Sequence, residues 1–171
     1  MTILGIDPGI ATVGYGAIGY EKNRFSVGGY GTIKTAAGLP LSLRLMEISE
    51  DICRLLELYR PDAVAVEELF FSANVKTGIH VAHGRGVLLL ECRKYGAPIF
   101  EYTPLQVKQA VAGYGRAEKS QIMEMTRLLL SLETVPKPDD AADALAIALC
   151  HARSSSSLLT KQGGGAVCST T

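Results

Sequence analysis

Four acidic residues lie in sequence surroundings where an ionised carboxylate is unexpected. Asp7 and Glu67 each follow an apolar run, and Asp140 and Asp143 stand at the start of an alanine-rich segment, residues 140–148. The i, i+3 spacing of the two aspartates places both on one side of a helical turn. A charged group beside a buried element needs a partner, because isolated burial of a charge is costly. We therefore treat these four acids as one candidate site.

Four carboxylates that converge on one place repel each other and raise one another's pKa values unless a cation lies among them. All their ligand atoms are oxygen, and the motifs contain no nearby His or Cys, which suits Mg²⁺ or Mn²⁺. Two such ions about 4 Å apart are the arrangement for in-line phosphodiester hydrolysis, in which one activates the attacking water and the other stabilises the leaving 3′ oxygen. The acids therefore predict a two-metal phosphodiesterase.

Each aspartate also has an ordinary structural interpretation. Asp7 precedes a Pro-Gly dipeptide, where an Asp commonly forms a turn. Acids in the first turn of a helix satisfy free amides and favour the helix dipole, which could account for Asp140 and Asp143 without a metal. Asp139 is predicted to be the N-cap of that helix. Glu67 is harder to explain in this way, because Glu is disfavoured in strands.

The elements that would position these acids follow the order βββ-α-β-α-β-α-α-α. Three short strands in succession predict an antiparallel meander, and each later strand follows a helical crossover and must lie parallel to the first. This order indicates an α/β fold with a mixed five-stranded sheet and helices on both faces. The carboxyl ends of parallel strands meet at one edge, so Asp7 and Glu67 are expected side by side. The expected strands lie within residues 2–9, 12–20, 25–35, 62–70 and 97–103, and the expected helices at 41–59, 86–96, 104–112, 117–132 and 137–152.

Charge and composition narrow the class of protein. Seventeen basic residues balance seventeen acidic ones, so the whole chain has no net attraction to nucleic acid or membrane. Residues 69–128, however, carry eight Lys or Arg against four Glu. No apolar run approaches the roughly 18 residues of a membrane helix, and the four cysteines form no C-x-x-C pair. We expect a cytoplasmic protein with free thiols and a local basic surface.

The chain is expected to form one domain, residues 1–153, followed by a tail. Its 171 residues, 47% of them hydrophobic, are enough for one sizeable core. Residues 154–171 begin with four serines, continue into a glycine run and lack helical periodicity, so we predict that they are disordered. His151 would then lie at the C-terminus of the last helix, where a cationic ring suits the dipole.

Six motifs occur in a fixed order: GIDPG at 5–9, GYG at 14–16, AVEELF at 65–70, GRGV at 84–87, QVKQAVAGYGRAEKSQ at 106–121 and DAADALAIA at 140–148. Together they resemble the RuvC Holliday-junction resolvases, over about residues 2–152, and the ordered set is highly specific. Two features depart from the family pattern. Residues 82–86 read Ala-His-Gly-Arg-Gly where Gln-Ala usually precedes Arg-Gly, and the tail is rich in Ser and Gly rather than basic.

The resemblance implies an RNase H-like fold, a homodimer, and paired symmetric nicks in opposed strands of a four-way DNA junction during recombination and repair. It also implies association with a branch-migration helicase complex. The metal ligands of the family correspond to Asp7, Glu67, Asp140 and Asp143. The implied cofactor is two Mg²⁺ ions per active site, for which Mn²⁺ can substitute.

The resemblance also extends to residues that contact DNA. Lys108 and Lys119 match the family's active-site and DNA-contacting lysines, and Lys108 is included among the catalytic residues. Phe70 matches an aromatic residue that acts at the junction centre. Arg85 falls in the segment leading into the dimer-forming helix and is expected to contact DNA. The non-basic tail indicates that residues beyond 153 add little DNA affinity.

Three other functions remain to be compared with junction resolution. An RNase H-like nuclease could act on RNA or on simple duplexes, and a comparison of substrates would separate it from a resolvase. An actin-like ATP-binding domain resembles the GIDPG hairpin, but it needs two lobes and a second such loop, which 171 residues do not supply. A junction-binding module without catalysis is disfavoured by the intact set of acids.

Overall fold

The protein is described here by a computed structural model, which covers residues 1–69 and 75–162. One five-stranded sheet has the strand order β3-β2-β1-β4-β5. The predicted order of elements is confirmed, and with it the α/β class. The elements are β1 (Thr2–Asp7), β2 (Thr12–Glu21), β3 (Arg24–Lys34), α1 (Leu41–Tyr59), β4 (Ala63–Glu67), α2 (Val75–Tyr95), β5 (Ile99–Tyr102), α3 (Pro104–Ala112), α4 (Lys119–Leu129) and α5 (Asp139–Gln162).

The sheet is mixed in the way the sequence predicts. β1 and β2 pair antiparallel, as do β2 and β3, and these three strands form the meander. β4 lies parallel to β1, with Ile6 opposite Val66, and β5 lies parallel to β4. The single parallel step from β1 to β4 therefore brings two chain segments about sixty residues apart into neighbouring positions.

Helices cover both faces of the sheet. On one face, α3, α4 and α5 pack against side chains such as Ile3 and Ile18. On the other face, α1 and α2 pack against side chains such as Leu4 and Ile6. Successive residues of β1 thus point to opposite cores, as the alternation of a strand requires, and the strand is buried on both sides.

Helix α2 is longer than expected, because it begins at Val75 rather than near Gly86. The expected helix covered only residues 86–96, so Gly84 and Gly86 both lie within α2 rather than at or before its start. Gly84 packs against the turn after β1, where an added Cβ would lie 2.7 Å from the carbonyl oxygen of Gly9. Its role is therefore close packing between α2 and the turn that follows Asp7. Arg85 accordingly lies inside the helix rather than before it.

The last helix also extends beyond its expected end. α5 continues to Gln162, so residues 154–162 of the predicted tail are helical, while 163–171 lie outside the described residues. The hydroxyl groups of Ser154 and Ser155 donate hydrogen bonds to the carbonyls of Cys150 and Ala152, both at 2.9 Å. These bonds back to the preceding turn let serines continue the helix.

His151 consequently does not lie at a helix C-terminus. Its side chain is buried within α5 and forms a 2.8 Å hydrogen bond between Nδ1 and the hydroxyl of Tyr102 on β5. Phe100 packs against the same ring, with centroids 4.3 Å apart. Burial lowers the pKa of His151, so the ring is neutral rather than cationic at neutral pH.

Two negative findings concern the described residues. None of their helices has both the length and the apolar character needed to cross a membrane. Within the same ranges, Cys53, Cys92 and Cys150 are free thiols; Cys168 lies outside them.

The buried hydrogen bond between Tyr102 and His151 gives a stability prediction. Tyr102→Phe removes the hydroxyl and leaves the buried imidazole nitrogen without its partner, which is expected to cost about 1–3 kcal/mol of unfolding free energy. Tyr20→Phe is the control, because that hydroxyl contacts Asn23 at the surface, and little change is expected. Urea unfolding followed by circular dichroism measures both, and equal stabilities would contradict the role of the buried bond.

Candidate active site

Asp7 and Glu67 end adjacent parallel strands at the same edge of the sheet. The ladder between β1 and β4 pairs Ile3 with Ala63 and continues to Ile6 opposite Val66, and each acid is the next residue along its strand. The predicted adjacency of these two acids is therefore confirmed.

Three glycines allow α5 to lie directly on this part of the sheet. A Cβ at Gly5 would overlap the backbone of Ala144, and one at Gly14 would overlap the carbonyl oxygen of Asp140. A Cβ at Gly16 would lie 2.8 Å from the side chain of Leu145. The first turn of α5 thus contacts the strands at the backbone, and this close packing brings its acids to the end of β1.

The electrostatics show that the four acids share one site. Burial, followed by the charges of Glu67, Asp143 and Asp140 in that order, raises the pKa of Asp7 to about 8. Burial also raises the pKa of Glu67, with the charge of Asp143 as the next cause. Acids as close as this at the end of a buried strand destabilise one another's charged forms. The other three acids are therefore near enough for their charges to act on Asp7.

Lys119, at the start of α4, supplies positive charge to this cluster. Its Nζ lies 3.0 Å from Oδ2 of Asp143 and 3.4 Å from Oδ2 of Asp139. Burial raises the pKa of Asp143, while the hydrogen bond from Lys119 opposes that rise. Lys119 also lowers the pKa of Asp7 and Glu67 by its charge. In this arrangement the ammonium group is the internal counter-ion of the acids.

Asp139 does not have the role predicted for it. The backbone amides of Ala141 and Ala142 donate to the carbonyl of Pro138, at 3.0 and 3.3 Å, so Pro138 is the residue that precedes the helix. Asp139 is the first residue of α5, and its carboxylate pairs with Lys119. Its charge still favours the helix N-terminus, but as part of the first turn.

The donor set fits a hard divalent cation in its chemistry. It consists of carboxylates, one of them buried and strongly destabilised in its ionised form, which is the environment that Mg²⁺ or Mn²⁺ relieves. Across residues 1–69 and 75–162, no three Asp, Glu, His or Cys side chains are arranged so that they could hold an ion as they stand. The carboxylate of Asp143 is directed to the ammonium group of Lys119.

A cavity of about 240 Å³ opens beside the acids, between α3, α4 and α5. Glu67, Asp143, Lys108 and Lys119 line it together with apolar side chains of the three helices. The structure therefore brings Lys108 to the same site as the acids, as predicted. A larger cavity, of about 640 Å³, lies at the hairpin between β2 and β3 and is lined by Met1 and Thr2. It is at the opposite end of β1 from Asp7.

Two other predicted site residues have different outcomes. Phe70 lies outside the described residues. Arg85 lies behind Glu67, where its Nε donates to the carbonyl oxygen of Glu67 at 3.3 Å and its NH2 group pairs with the carboxylate of Glu101. Sequence analysis did not identify Glu101, and no motif marks it, because its pairing depends on the parallel register of β5 with β4.

A mixed sheet of order β3-β2-β1-β4-β5, with acids at the ends of β1 and β4 and at the start of α5, defines the RNase H-like class of nucleases. The family described as crossover junction endodeoxyribonuclease RuvC matches residues 3–151. The chain belongs to this family, and it is an endodeoxyribonuclease.

The relatives cover nearly the whole chain. The RuvC protein of Ruminiclostridium cellulolyticum is 54% identical over 154 residues, which are 90% of this chain and 93% of that protein. The RuvC protein of Alkaliphilus oremlandii is 57% identical over 152 residues, 89% of this chain and 93% of its own length. A structure of Thermus thermophilus RuvC in complex with Holliday junction substrate is similar with a TM-score of 0.86 and 37% identity, covering 91% of this chain and 94% of that one.

The backbone contact at Gly14 gives a prediction for the site. Gly14→Ala must displace the first turn of α5, which is expected to cost about 1–3 kcal/mol of unfolding free energy. The nuclease activity should fall by about a hundredfold, because the acids of α5 move relative to Asp7. Gly38→Ala is the control, because an added Cβ there meets nothing within 4 Å. A Gly14→Ala enzyme that retains wild-type activity would contradict the close packing.

The raised pKa of Asp7 gives a pH prediction for the protein without divalent cations. A carboxyl with a raised pKa contributes its full stability when the pH is below its ordinary pKa of 3.8. That stability is lost as the pH rises through the folded-state pKa of about 8. Asp7→Asn should therefore weaken the loss of stability between pH 5 and 8 and raise the melting temperature at pH 8 by on the order of 5 °C, while activity is lost. Asp51→Asn, an exposed acid of α1, is the control. A lower melting temperature for Asp7→Asn at pH 8 would show that Asp7 is a structural residue.

Proposed function

We propose that the protein resolves Holliday junctions by paired symmetric nicks, through metal-dependent hydrolysis of a phosphodiester in each of two opposed strands. The observation that carries the proposal is the cluster around Asp7, whose buried carboxyl has a pKa of about 8 because of burial and three further acids. Membership of the RuvC family supports the substrate, and so does the Thermus thermophilus relative, whose structure contains a Holliday junction substrate.

The cofactor that suits this cluster is a pair of Mg²⁺ ions, for which Mn²⁺ would substitute. When bound, such ions lower the pKa of an attacking water and stabilise the leaving 3′ oxygen. Asp7 would ligate both ions, Glu67 and Asp143 would each ligate one, and Asp140 would complete the cluster or orient water. The support is the oxygen-only chemistry of the donors and their mutual repulsion in the present arrangement.

The two lysines would bind the phosphate that is cut. Lys108 and Lys119 both line the cavity that Glu67 and Asp143 border. In the present structure Lys119 neutralises Asp143; with metal in place that contact is no longer needed, and its ammonium group would be available to DNA. Such contacts position the strand without reading its sequence. Phe70 would stack on bases at the junction centre.

Symmetric cutting of two strands suits a two-fold homodimer, because each protomer then supplies one active site. Helix α2 exposes Ile79 and Leu90, which are 48% and 52% accessible, and these apolar side chains support α2 as part of the dimer interface. We also propose that the protein acts in the cytoplasm together with a branch-migration helicase complex. The support for the cytoplasmic location and for the helicase complex is membership of the family, whose cited members come from bacteria.

The experiment that tests this function compares three labelled substrates: a synthetic mobile four-way junction, a linear duplex of the same sequence and an RNA–DNA hybrid. The wild type with Mg²⁺ should nick the junction at symmetric positions and leave the other two nearly intact. Asp143→Asn should lower the rate by on the order of a thousandfold, because a ligand worth several kcal/mol is lost.

The control variant is Glu21→Gln, at the exposed end of β2, which should cut like the wild type. Equal rates on all three substrates would favour a general RNase H-like nuclease. Junction binding without any nicking in Mg²⁺ or Mn²⁺ would favour a binding module.

A further inference from the structure

Two nitrogens of the largely enclosed Arg85 guanidinium contact protein groups. Its side chain is 16% exposed. Nε donates to the carbonyl oxygen of Glu67 at 3.3 Å, and NH2 pairs with the carboxylate of Glu101. Burial lowers the pKa of Arg85, and the negative charge of Glu68 opposes that change. A DNA phosphate would therefore have to share the guanidinium with these two partners.

The partners of Arg85 lie where the site needs a fixed backbone. Glu101 is opposite Val66 in the parallel ladder of β4 and β5, and Tyr102 is opposite Glu67. The amide of Glu68 donates to the carbonyl of Tyr102 at 2.9 Å, so β5 fixes β4 on one side of its last residue. Arg85 reaches the same residue from α2. One guanidinium therefore joins β4, β5 and α2 at the backbone of Glu67.

We propose that Arg85 and Glu101 position Glu67 for metal binding, with Arg85 acting on the backbone of Glu67 rather than on a DNA phosphate. The inference rests on the proposed function, because it takes Glu67 as a metal ligand. Groups that orient a metal ligand typically influence affinity by 10–100-fold without touching the ion. The planar fork of an arginine suits this role, since it contacts two acceptors at once, whereas a lysine offers a point charge.

The signs of the two charges separate this role from DNA binding. Arg85→Ala removes a positive charge, and Glu101→Gln removes a negative one. If Arg85 contacts phosphate, the first change weakens junction binding and the second strengthens it, because the guanidinium is released from its partner. If the pair positions Glu67, both changes weaken metal binding in the same direction and leave junction binding alone.

The experiment measures Mn²⁺ binding to the full-length protein without DNA, from the electron paramagnetic resonance signal of free Mn²⁺. Arg85→Ala and Glu101→Gln should each weaken Mn²⁺ binding by about tenfold or more. The double variant should bind Mn²⁺ no more weakly than the single variant with the lower affinity, because the two residues act as a unit. Arg85→Lys should remain impaired, since the charge is kept and the fork is lost. Junction binding in the absence of divalent cations should stay within about twofold of the wild type.

The matched control is the pair Arg127 and Glu124 on α4. Arg127 is 26% exposed, pairs with Glu124 and also donates to the carbonyl of Leu132 at 3.1 Å, which reproduces the contacts of Arg85 away from β4. Arg127→Ala and Glu124→Gln should leave Mn²⁺ binding unchanged. Thermal melting of each variant identifies any that does not fold, and Glu101→Gln and Arg85→Lys then carry the test if Arg85→Ala is lost.

Two results would overturn the inference. One is unchanged Mn²⁺ affinity in both Arg85→Ala and Glu101→Gln. The other is junction binding that falls in the first variant and rises in the second, which would assign Arg85 to a phosphate. The proposed function is tested separately by wild-type junction cleavage, so a wild type that does not cut junctions would leave the effect on Mn²⁺ binding interpretable.

Discussion

The fold holds several carboxylates together at the end of β1, where they repel one another. This repulsion is the constraint to which the rest of the site responds. Asp7 is partly buried and its pKa rises to about 8, and the main causes after burial are the charges of Glu67 and Asp143. Such an arrangement lowers the stability of the folded chain at neutral pH unless positive charge enters the cluster. The packing that brings the acids together is backbone against backbone, at Gly5 and Gly14, where no side chain separates α5 from the sheet.

Two cationic side chains border this cluster in different ways. Lys119 enters it and pairs with Asp143, so its contact depends on the charge of a residue within the site. Arg85 stays behind Glu67 and contacts the backbone and the carboxylate of Glu101. The first contact is an ion pair with an acid of the cluster, and the second joins α2 to β4 and β5. A lysine and an arginine suit these tasks respectively, because the ammonium group is a mobile point charge and the guanidinium is a rigid fork.

The architecture and the four acids could be predicted from the sequence because they follow from local patterns. Apolar runs separated by crossovers require β4 to lie parallel to β1, and this fixes Asp7 beside Glu67. The ends of the helices were less predictable. Gly84 resembles a helix breaker in sequence. A glycine is nevertheless needed within the helix, because the carbonyl oxygen of Gly9, a residue distant in the chain, leaves no room for a Cβ. The run of serines after Arg153 resembles a disordered segment, but the hydroxyls of Ser154 and Ser155 donate to carbonyls of the preceding turn. The pairing of Arg85 with Glu101 depends on the register of β5, which no local pattern specifies.

The contact between α5 and the sheet also limits how the chain can change over generations. A clash between two side chains can be relieved by a second substitution that removes volume from the neighbour. At Gly14 the neighbouring atom is the carbonyl oxygen of Asp140, which every amino acid carries. No substitution in α5 can remove this oxygen and make room for a larger residue at position 14. Gly14 is therefore closed to stepwise variation, although it takes no part in catalysis.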